Sequence, residues 1–384
     1  MNLNLFGSTG VIGTKTLLLV KNHFPNIKIN LLAANNNYRK LLQQIKFFKP
    51  KYVFLKNSNK INILKSKIDK KIKVLDEKEI IHYLKNSHSD LTILAISGYQ
   101  SLFFLKSIIS NTKNLGIVNK ECIVSAGHLF HKLIKKSNIK IFPLDSEHFS
   151  LNKYFNNSNI NYKKIYITAS GGPFYQKNWN DIKFSSYKDA INHPKWKMGY
   201  KNSIDSATLA NKCLELIEAH YLFNIPFSKI DILIHPQALV HSIIEFNNYT
   251  SEFNYFYHNM DIPLINFLSL HNNRTLSNKI LQKKYNFNKN LKIDFSPPSK
   301  KLFPILSTFN NINKKKPNEF IKFNLANEFA VNLFKNKKIL FGDIHTIIDD
   351  CMNIQLNKSV HTIKNVIDYH KIYNQMLIKK YEDL

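Results

Sequence analysis

Seven residues near the N-terminus, Gly7-Ser8-Thr9-Gly10-Val11-Ile12-Gly13, constrain this chain more than any other feature. They place three glycines at three-residue spacing between an apolar stretch, Leu3 to Phe6, and a helix-forming one, Thr14 to Asn22. Only 10 of 384 residues are glycine, well below the roughly 7% of ordinary proteins, so a glycine here marks a place where a Cβ would clash or φ must be positive. A strand, a tight turn and a helix N-terminus bring bare N–H groups and the positive end of a helix dipole to one point, which suits a pyrophosphate. The pattern is G-x-x-G-x-x-G, and a purely structural strand-to-helix turn would use the same residues.

The rest of the first third repeats the theme. Apolar stretches at Lys28–Ala34, Tyr52–Leu55, Thr92–Ile96, Ile117–Val118 and Ile139–Leu144 alternate with helix-length segments, beginning with Tyr38 to Phe48. Such alternation predicts a doubly wound parallel sheet. The Lys-rich segment Lys56 to Lys73 carries recurrent Ile and Leu and is expected to be a helix with a solvated face. After about residue 146 the texture changes, with strands expected at Lys164–Ala169, Ile230–His235 and Ser242–Tyr255 and one long helix at Ser206–Phe223. The expectation is therefore α/β: an N-terminal Rossmann-like sheet over 1–145, a central mixed α/β domain over 146–270, a linker over 271–299, and a helical domain over 300–384. The last rests on the four-residue spacing of Ile321, Leu325, Phe329 and Leu333 and a similar run from Thr362 to Tyr381.

The charge of +29 would ordinarily point to nucleic acid or an anionic membrane. Arginine occurs only at Arg39 and Arg274, whereas base readout leans on arginine forks, so we read a solvated lysine surface and expect no nucleic-acid and no membrane partner. Cys122, Cys213 and Cys351 are far apart and odd in number, which argues against a disulfide framework or a zinc knuckle and for a reducing compartment. No apolar run reaches the roughly twenty residues of a membrane span. A soluble, cytoplasmic protein is expected.

Four further constellations can carry chemistry. Asp145-Ser146-Glu147-His148 follows a strand; if the chain stays extended, Asp145 and Glu147 face the same way and offer oxygen to Mg²⁺ or Mn²⁺, although Asp-Ser also begins many helices. Asp205-Ser206-Ala207-Thr208 reads as a helix opening, with Ser206 and first-turn N–H groups placed for phosphate, Lys212 as a point charge, and Asn211 and Glu215 stacked at i and i+4. Ser170-Gly171-Gly172-Pro173 leaves backbone amides bare as a second anion cradle or a simple turn. His193-Pro194-Lys195-Trp196-Lys197-Met198-Gly199 is a loop able to close over a substrate, or simply to pack. His235 and His241 lie around a strand end, where histidine is commonly structural.

In this order the motifs resemble the 1-deoxy-D-xylulose 5-phosphate reductoisomerase family. The likeness runs through Asn119-Lys120-Glu121, Asp145-Ser-Glu-His148, Ser170-Gly-Gly-Pro-Phe174, His193 to Gly199, Asp205 to Glu215, His235-Pro-Gln with His241-Ser242, and Asn324-x-x-Asn327-Glu328. It implies a homodimeric, NADPH- and metal-dependent enzyme (Mg²⁺, Mn²⁺ or Co²⁺) of the non-mevalonate isoprenoid pathway, which isomerises the linear sugar phosphate and reduces the product to 2-C-methyl-D-erythritol 4-phosphate. By position, Asp145, Glu147 and Glu215 match its metal ligands. Lys120, Ser146, Glu147, Ser170, His193, Ser206, Asn211, Lys212 and Glu215 match substrate contacts, with phosphate on Ser170, Ser206, Asn211 and Lys212. Thr9, Gly10, Val11, Ile12, Asn36, Asn119, Glu121 and Gly199 match NADPH contacts, and Trp196 and Met198 the lid. Lys120, Glu147, His193, Trp196 and Met198 are the expected catalytic group. In this likeness 1–145 binds NADPH and 146–270 is the catalytic domain.

This chain departs from the common pattern at Ala34 and Asn35 after the second strand, at Tyr200 and Asn202 after the loop, and at Asp261. The first departure predicts a weaker hold on the adenosine 2′-phosphate, with Arg39 or Lys40 compensating. Two other readings remain at this point: an ordinary NADP-linked dehydrogenase, which needs no three-carboxylate site, and a basic RNA-binding protein, which gives Asp145, Glu147 and Glu215 no task.

Overall fold

The structure is a computed structural model that describes residues 1–135, 137–155, 160–196, 198–270 and 291–383. Among these, the chain divides into two compact units, each built from separate segments. The first comprises Met1–Asn119, His131–Asp145 and 259–270. The second comprises Lys120–Phe130, Ser146–His258 and the described residues from 291 onward.

The first unit holds a seven-stranded sheet: β1 (Asn2–Phe6), β2 (Lys28–Ala34), β3 (Tyr52–Leu55), β4 (Lys73–Leu75), β5 (Ser89–Leu94), β6 (Thr112–Ile117) and β7 (Lys140–Pro143). The order is β4-β3-β2-β1-β5-β6-β7 with every pair parallel. Near-continuous apolar strands such as Leu31-Leu32-Ala33-Ala34, all buried, are what a sheet covered on both faces requires. The strand order reverses direction between β1 and β5, so the glycine turn that follows β1 lies at the topological switch point. The segment 259–270, expected in the catalytic domain, belongs to this unit. Its helix Asp261–Leu268 packs Leu264, Phe267 and Leu268 into the same core as Leu3, Leu5 and Ile93. Gly116 admits that helix, since a Cβ there would stand 3.2 Å from the Phe267 ring.

The second unit is built on the mixed sheet β11-β10-β8-β9, from β8 (Tyr162–Ala169), β9 (Ile230–Ile234), β10 (Val240–Phe246) and β11 (Ser251–Tyr255). The strand expected over Ser242–Tyr255 is two antiparallel strands joined by a turn with Tyr249 at φ 65. Helices of the C-terminal segment, chiefly Pro317–Lys335 and Ile363–Lys380, cluster with this sheet in one unit. The expected linker lies outside the described residues from 271 to 290.

Three local expectations are corrected. Lys56–Lys73 is not one helix; only Ile61–Lys65 is α-helical, after a 3₁₀ turn, because the apolar positions are too sparse to bury a longer face. Ser206–Phe223 is not continuous: Tyr200–Thr208 and Ala210–Phe223 are separate helices joined at Leu209, whose φ of 69 breaks the helical path. Ser206 therefore lies in the last turn of a helix and not at an opening. Nor does the chain stay extended through Asp145–Glu147, since the helix Ser146–Phe155 begins at once.

Candidate active site

In the first unit, the turn has the geometry that the glycines imply. Gly7 sits at φ 83, where a Cβ would overlap the Ala95 carbonyl, and a Cβ on Gly13 would overlap the Gly7 carbonyl. Gly10 is the N-cap of the helix Val11–His23 and offers no capping side chain, so the first-turn N–H groups of Val11, Ile12 and Gly13 meet no side-chain acceptor from the cap. Thr9, Gly10, Val11 and Ile12 thus lie at a helix N-terminus without a side-chain cap, a placement fit for a dinucleotide's phosphates. Beyond β2, Asn36 and Arg39 are exposed, and Asn37 caps the next helix through the Lys40 N–H. Asn119 is differently occupied: its amide nitrogen donates to the carbonyls of Ile96 and Gly98 and to Ser101 Oγ, bracing the loop after β5.

The acidic centre forms where the chain enters the second unit. Asp145 is joined by a peptide bond to Ser146, the first residue of the helix that carries Glu147, and Glu215 lies on the helix Ala210–Phe223. One oxygen from each of Asp145, Glu147 and Glu215 lies within 4.8 Å of the other two. Three carboxylate oxygens are the donor set that hard divalent cations take. Two ammonium groups face these acids. Lys212 Nζ is 2.6 Å from Glu147 Oε1 and 2.7 Å from Glu215 Oε2, and Lys120 Nζ is 3.1 Å from Glu215 Oε1 and 2.7 Å from Asn211 Oδ1. The Asn211 amide also donates to Glu215 Oε1, and Ser146 Oγ donates to Glu147 Oε2 at 2.5 Å.

Behind this layer stands a pair, His148 of the Asp145–His148 run and Glu218, to which the sequence reading gives no role. His148 is fully buried, with Nε2 3.0 Å from the Glu215 carbonyl oxygen and Nδ1 3.4 Å from Glu218 Oε2. A carbonyl accepts only, so Nε2 carries the proton. The pair ties the helix bearing Glu147 to the helix bearing Glu215. Glu218 stands three residues after Glu215, one turn along the same face, which was the available signal.

Of the phosphate candidates, Ser170 and Ser206 are brought together at the Ser170 turn, whereas Asn211 and Lys212 stand beside the carboxylates. Gly171 and Gly172 have φ of 85 and 68, and a Cβ on Gly172 would stand 2.7 Å from the Ser206 carbonyl oxygen, so the loop lies directly against the backbone of Ser206. His193 Nδ1 accepts the N–H groups of Lys195 and Trp196 at 3.1 and 2.9 Å, which leaves the ring proton on Nε2. Nε2 then donates to Ser170 Oγ at 3.0 Å, and the Gly172 N–H donates to the same oxygen at 3.3 Å. With two donors on its oxygen, the Ser170 hydroxyl has its own proton to give to an anion. Burial, then the charge of Lys212, pushes His193 down to about 4, so the neutral tautomer persists at neutral pH.

Trp196 sits edge-on to His241 and His258, with ring centroids at 6.3 and 5.8 Å. His241 stacks on Phe256, and its Nδ1 is 3.9 Å from Glu147 Oε1. Aromatic rings therefore run from the loop to the carboxylates. Met198 is half-buried, whereas Gly199 is exposed with open space around it. Glu121 turns elsewhere: its Oε1 is 3.6 Å from Lys201 Nζ.

Comparison with known proteins bears on this arrangement. Models of the 1-deoxy-D-xylulose 5-phosphate reductoisomerase family match residues 3–127, and those of its C-terminal regions match 141–223 and 257–376. The chain is 38% identical to a 1-deoxy-D-xylulose 5-phosphate reductoisomerase of Pelagibacter ubique, covering 95% of this chain and 96% of that one. It is 35% identical to that of Thermoanaerobacter pseudethanolicus, covering 98% of each. A solved reductoisomerase in complex with NADPH, fosmidomycin and magnesium superposes with a TM-score of 0.90 at 27% identity, covering 100% of this chain and 98% of that one. The Zymomonas mobilis enzyme with NADPH gives 0.88 at 28%, covering 100% and 99%.

Proposed function

The chain belongs to the 1-deoxy-D-xylulose 5-phosphate reductoisomerase family, and from that premise we propose that it converts 1-deoxy-D-xylulose 5-phosphate to 2-C-methyl-D-erythritol 4-phosphate with NADPH and a divalent metal. The observation that carries this reading is the convergence of Asp145, Glu147 and Glu215 within 4.8 Å of one another, a feature that an ordinary dehydrogenase would not need. These three residues would hold the metal, and Thr9, Gly10, Val11, Ile12 and Asn36, with Asn119, Glu121 and Gly199, would serve NADPH. Bound there, the metal supplies Lewis acidity that stabilises oxyanion charge during carbon–carbon rearrangement, and NADPH supplies the hydride for the aldehyde that results.

The chain's own residues supply position and charge. Ser170, Ser206, Asn211 and Lys212 bind the phosphate, an anchor remote from the reacting carbons whose binding energy can orient them. His193 acts on that anchor by holding Ser170 with its hydroxyl proton outward. Lys120, beside Asn211 and Glu215, presents an ammonium to the substrate hydroxyls and opposes oxyanion charge there. Ser146 orients Glu147 through its hydroxyl. Trp196 and Met198 exclude water from the reacting end.

In this reading the first unit serves the cofactor, 146–258 with Lys120 the substrate, and 300–384 is helical support. The reading includes a cytoplasmic homodimer; three buried free cysteines support the reducing compartment. NADPH absorbance followed with 1-deoxy-D-xylulose 5-phosphate, with and without chelator, tests it. Metal-dependent consumption that falls at least 100-fold in Glu215→Gln is expected, and chelator-insensitive turnover would overturn it.

A further inference from the structure

The run Asn324-x-x-Asn327-Glu328 has no part in the chemistry above, yet it reaches the substrate helix through a buried ionic network. Asn327 Nδ2 donates to Asp205 Oδ1 at 2.8 Å, with both residues at most 1% exposed. The other oxygen of Asp205 accepts from Lys201 Nζ at 2.6 Å, and the same ammonium lies 3.6 Å from Glu121 Oε1. Glu328 adds its charge to this centre: Lys201 is held above its usual range by Asp205, Glu121 and Glu328 despite burial. One lysine is thus shared by acids from the helices Lys120–Ile134, Tyr200–Thr208 and Pro317–Lys335. On the outer side, Tyr200 Oη donates to Asn332 Oδ1 at 3.3 Å, and the Lys335 ammonium lies 4.0 Å from the Tyr200 ring.

A buried ammonium among carboxylates adds little net stability, but it specifies register, because sliding the 200–208 helix by one turn would leave charges buried and unpaired. Ser206 follows Asp205 directly, and its carbonyl abuts Gly172. We propose that Lys201 is a positioning residue: with Asp205 and Asn327 it fixes the 200–208 helix against the 317–335 helix, and so sets where Ser206 meets the substrate's phosphate.

This inference rests on the functional reading above, and the experiment separates the two. Steady-state kinetics and thermal midpoints are measured for the parent, Lys201→Met, the double variant Lys201→Met/Asp205→Asn, Lys201→Arg and Asn327→Ala. Lys201→Met should raise KM for the sugar phosphate at least tenfold with a smaller change in kcat, and lower the midpoint. The double variant, which removes the Asp205 charge and leaves those of Glu121 and Glu328, should recover part of the midpoint but not KM, and Lys201→Arg should recover part of both. Asn327→Ala keeps the Lys201–Asp205 pair and removes the hydrogen bond that Asp205 accepts from the C-terminal helix, with Glu328 and Asn332 still in place; it should raise KM about threefold or more, and it decides the matter if the lysine variants fail to fold. KM within twofold of the parent in the folded double variant, or in Asn327→Ala, overturns the inference. A parent that does not consume the sugar phosphate overturns the functional reading instead.

Discussion

Lys212 Nζ stands 2.6 Å from Glu147 Oε1, deep enough that the lysine is 7% and the glutamate 9% exposed. The same ammonium reaches Glu215, so a residue proposed for the phosphate also moderates the charge of the acidic centre. Lys212→Met should therefore separate two effects. KM for the sugar phosphate rises about 100-fold, the size of losing a charge-assisted contact in a dry site. Mn²⁺ affinity without substrate, read by electron paramagnetic resonance, stays level or tightens, because a cation has been removed from beside the ligands. Weaker Mn²⁺ binding would contradict the arrangement.

His193 gives a prediction with a definite sign. Its value is lowered to about 4, chiefly by burial, below the 6.5 of an unfolded histidine. His370, 1% exposed with Nε2 3.0 Å from Ser125 Oγ, falls to about 3 for the same reason. As pH drops below 6.5 the unfolded chain takes up protons that the folded chain refuses, so both groups subtract stability progressively until their folded values are reached. His370→Gln should flatten the loss of thermal midpoint between pH 6.5 and 4. For catalysis, His193 contributes no inflection between pH 5.5 and 8 in the parent profile, and His193→Ala raises KM about tenfold by releasing Ser170.

Two glycines in the site should behave in opposite ways. Gly172 is at φ 68 with the Ser206 carbonyl 2.7 Å from any added Cβ; Gly172→Ala should raise KM for the sugar phosphate tenfold or more. Gly199 has φ −65 and nothing within 4 Å of an added Cβ. Gly199→Ala should keep the parent's thermal midpoint within about 2 °C. Any rise in KM for NADPH in that variant then reports contact with the cofactor and not a damaged fold.

The three thiols offer a check on the core. Cys122, Cys213 and Cys351 are fully buried, and burial pushes Cys351 up to about 11 and Cys213 higher still. A disulfide reagent at pH 8 should label the native chain at well under one equivalent over an hour, and at three after guanidinium is added. Fast labelling of the native chain would contradict the packing.

Much of this architecture is legible in the residues, and the failures have physical causes. The strands Lys28–Ala34 and Tyr52–Leu55 and the helix Tyr38–Phe48 coincide with the expected bounds, since buried parallel strands and a polar-capped helix are strong local signals. Residue type and motif order point to Asp145, Glu147 and Glu215. The alternation argument offered for the first two does not hold, because a helix begins at Ser146. Lys201 was missed although Lys201 and Asp205 are i and i+4. That spacing is common on solvated helices, and nothing local says that this face is covered by Asn327, 122 residues on. The role of His148, and Glu218 altogether, escape the sequence for the same reason: their meaning lies in a helix pairing.

Leu209 has a consequence of its own. On an unbroken rod at 100° per residue, Ser206 and Lys212 would stand roughly 120° apart around the axis, on different faces and not aimed at one shared anion. A single left-handed step converts the rod into a bracket with two independently aimed arms. The arm that bears Ser206 in its last turn is tied through Asp205 to the C-terminal helix, and the arm that begins after Leu209 carries Glu215. On the proposed reading, substitutions along the first would retune the grip on the sugar's tail while the cation's ligands stay in place.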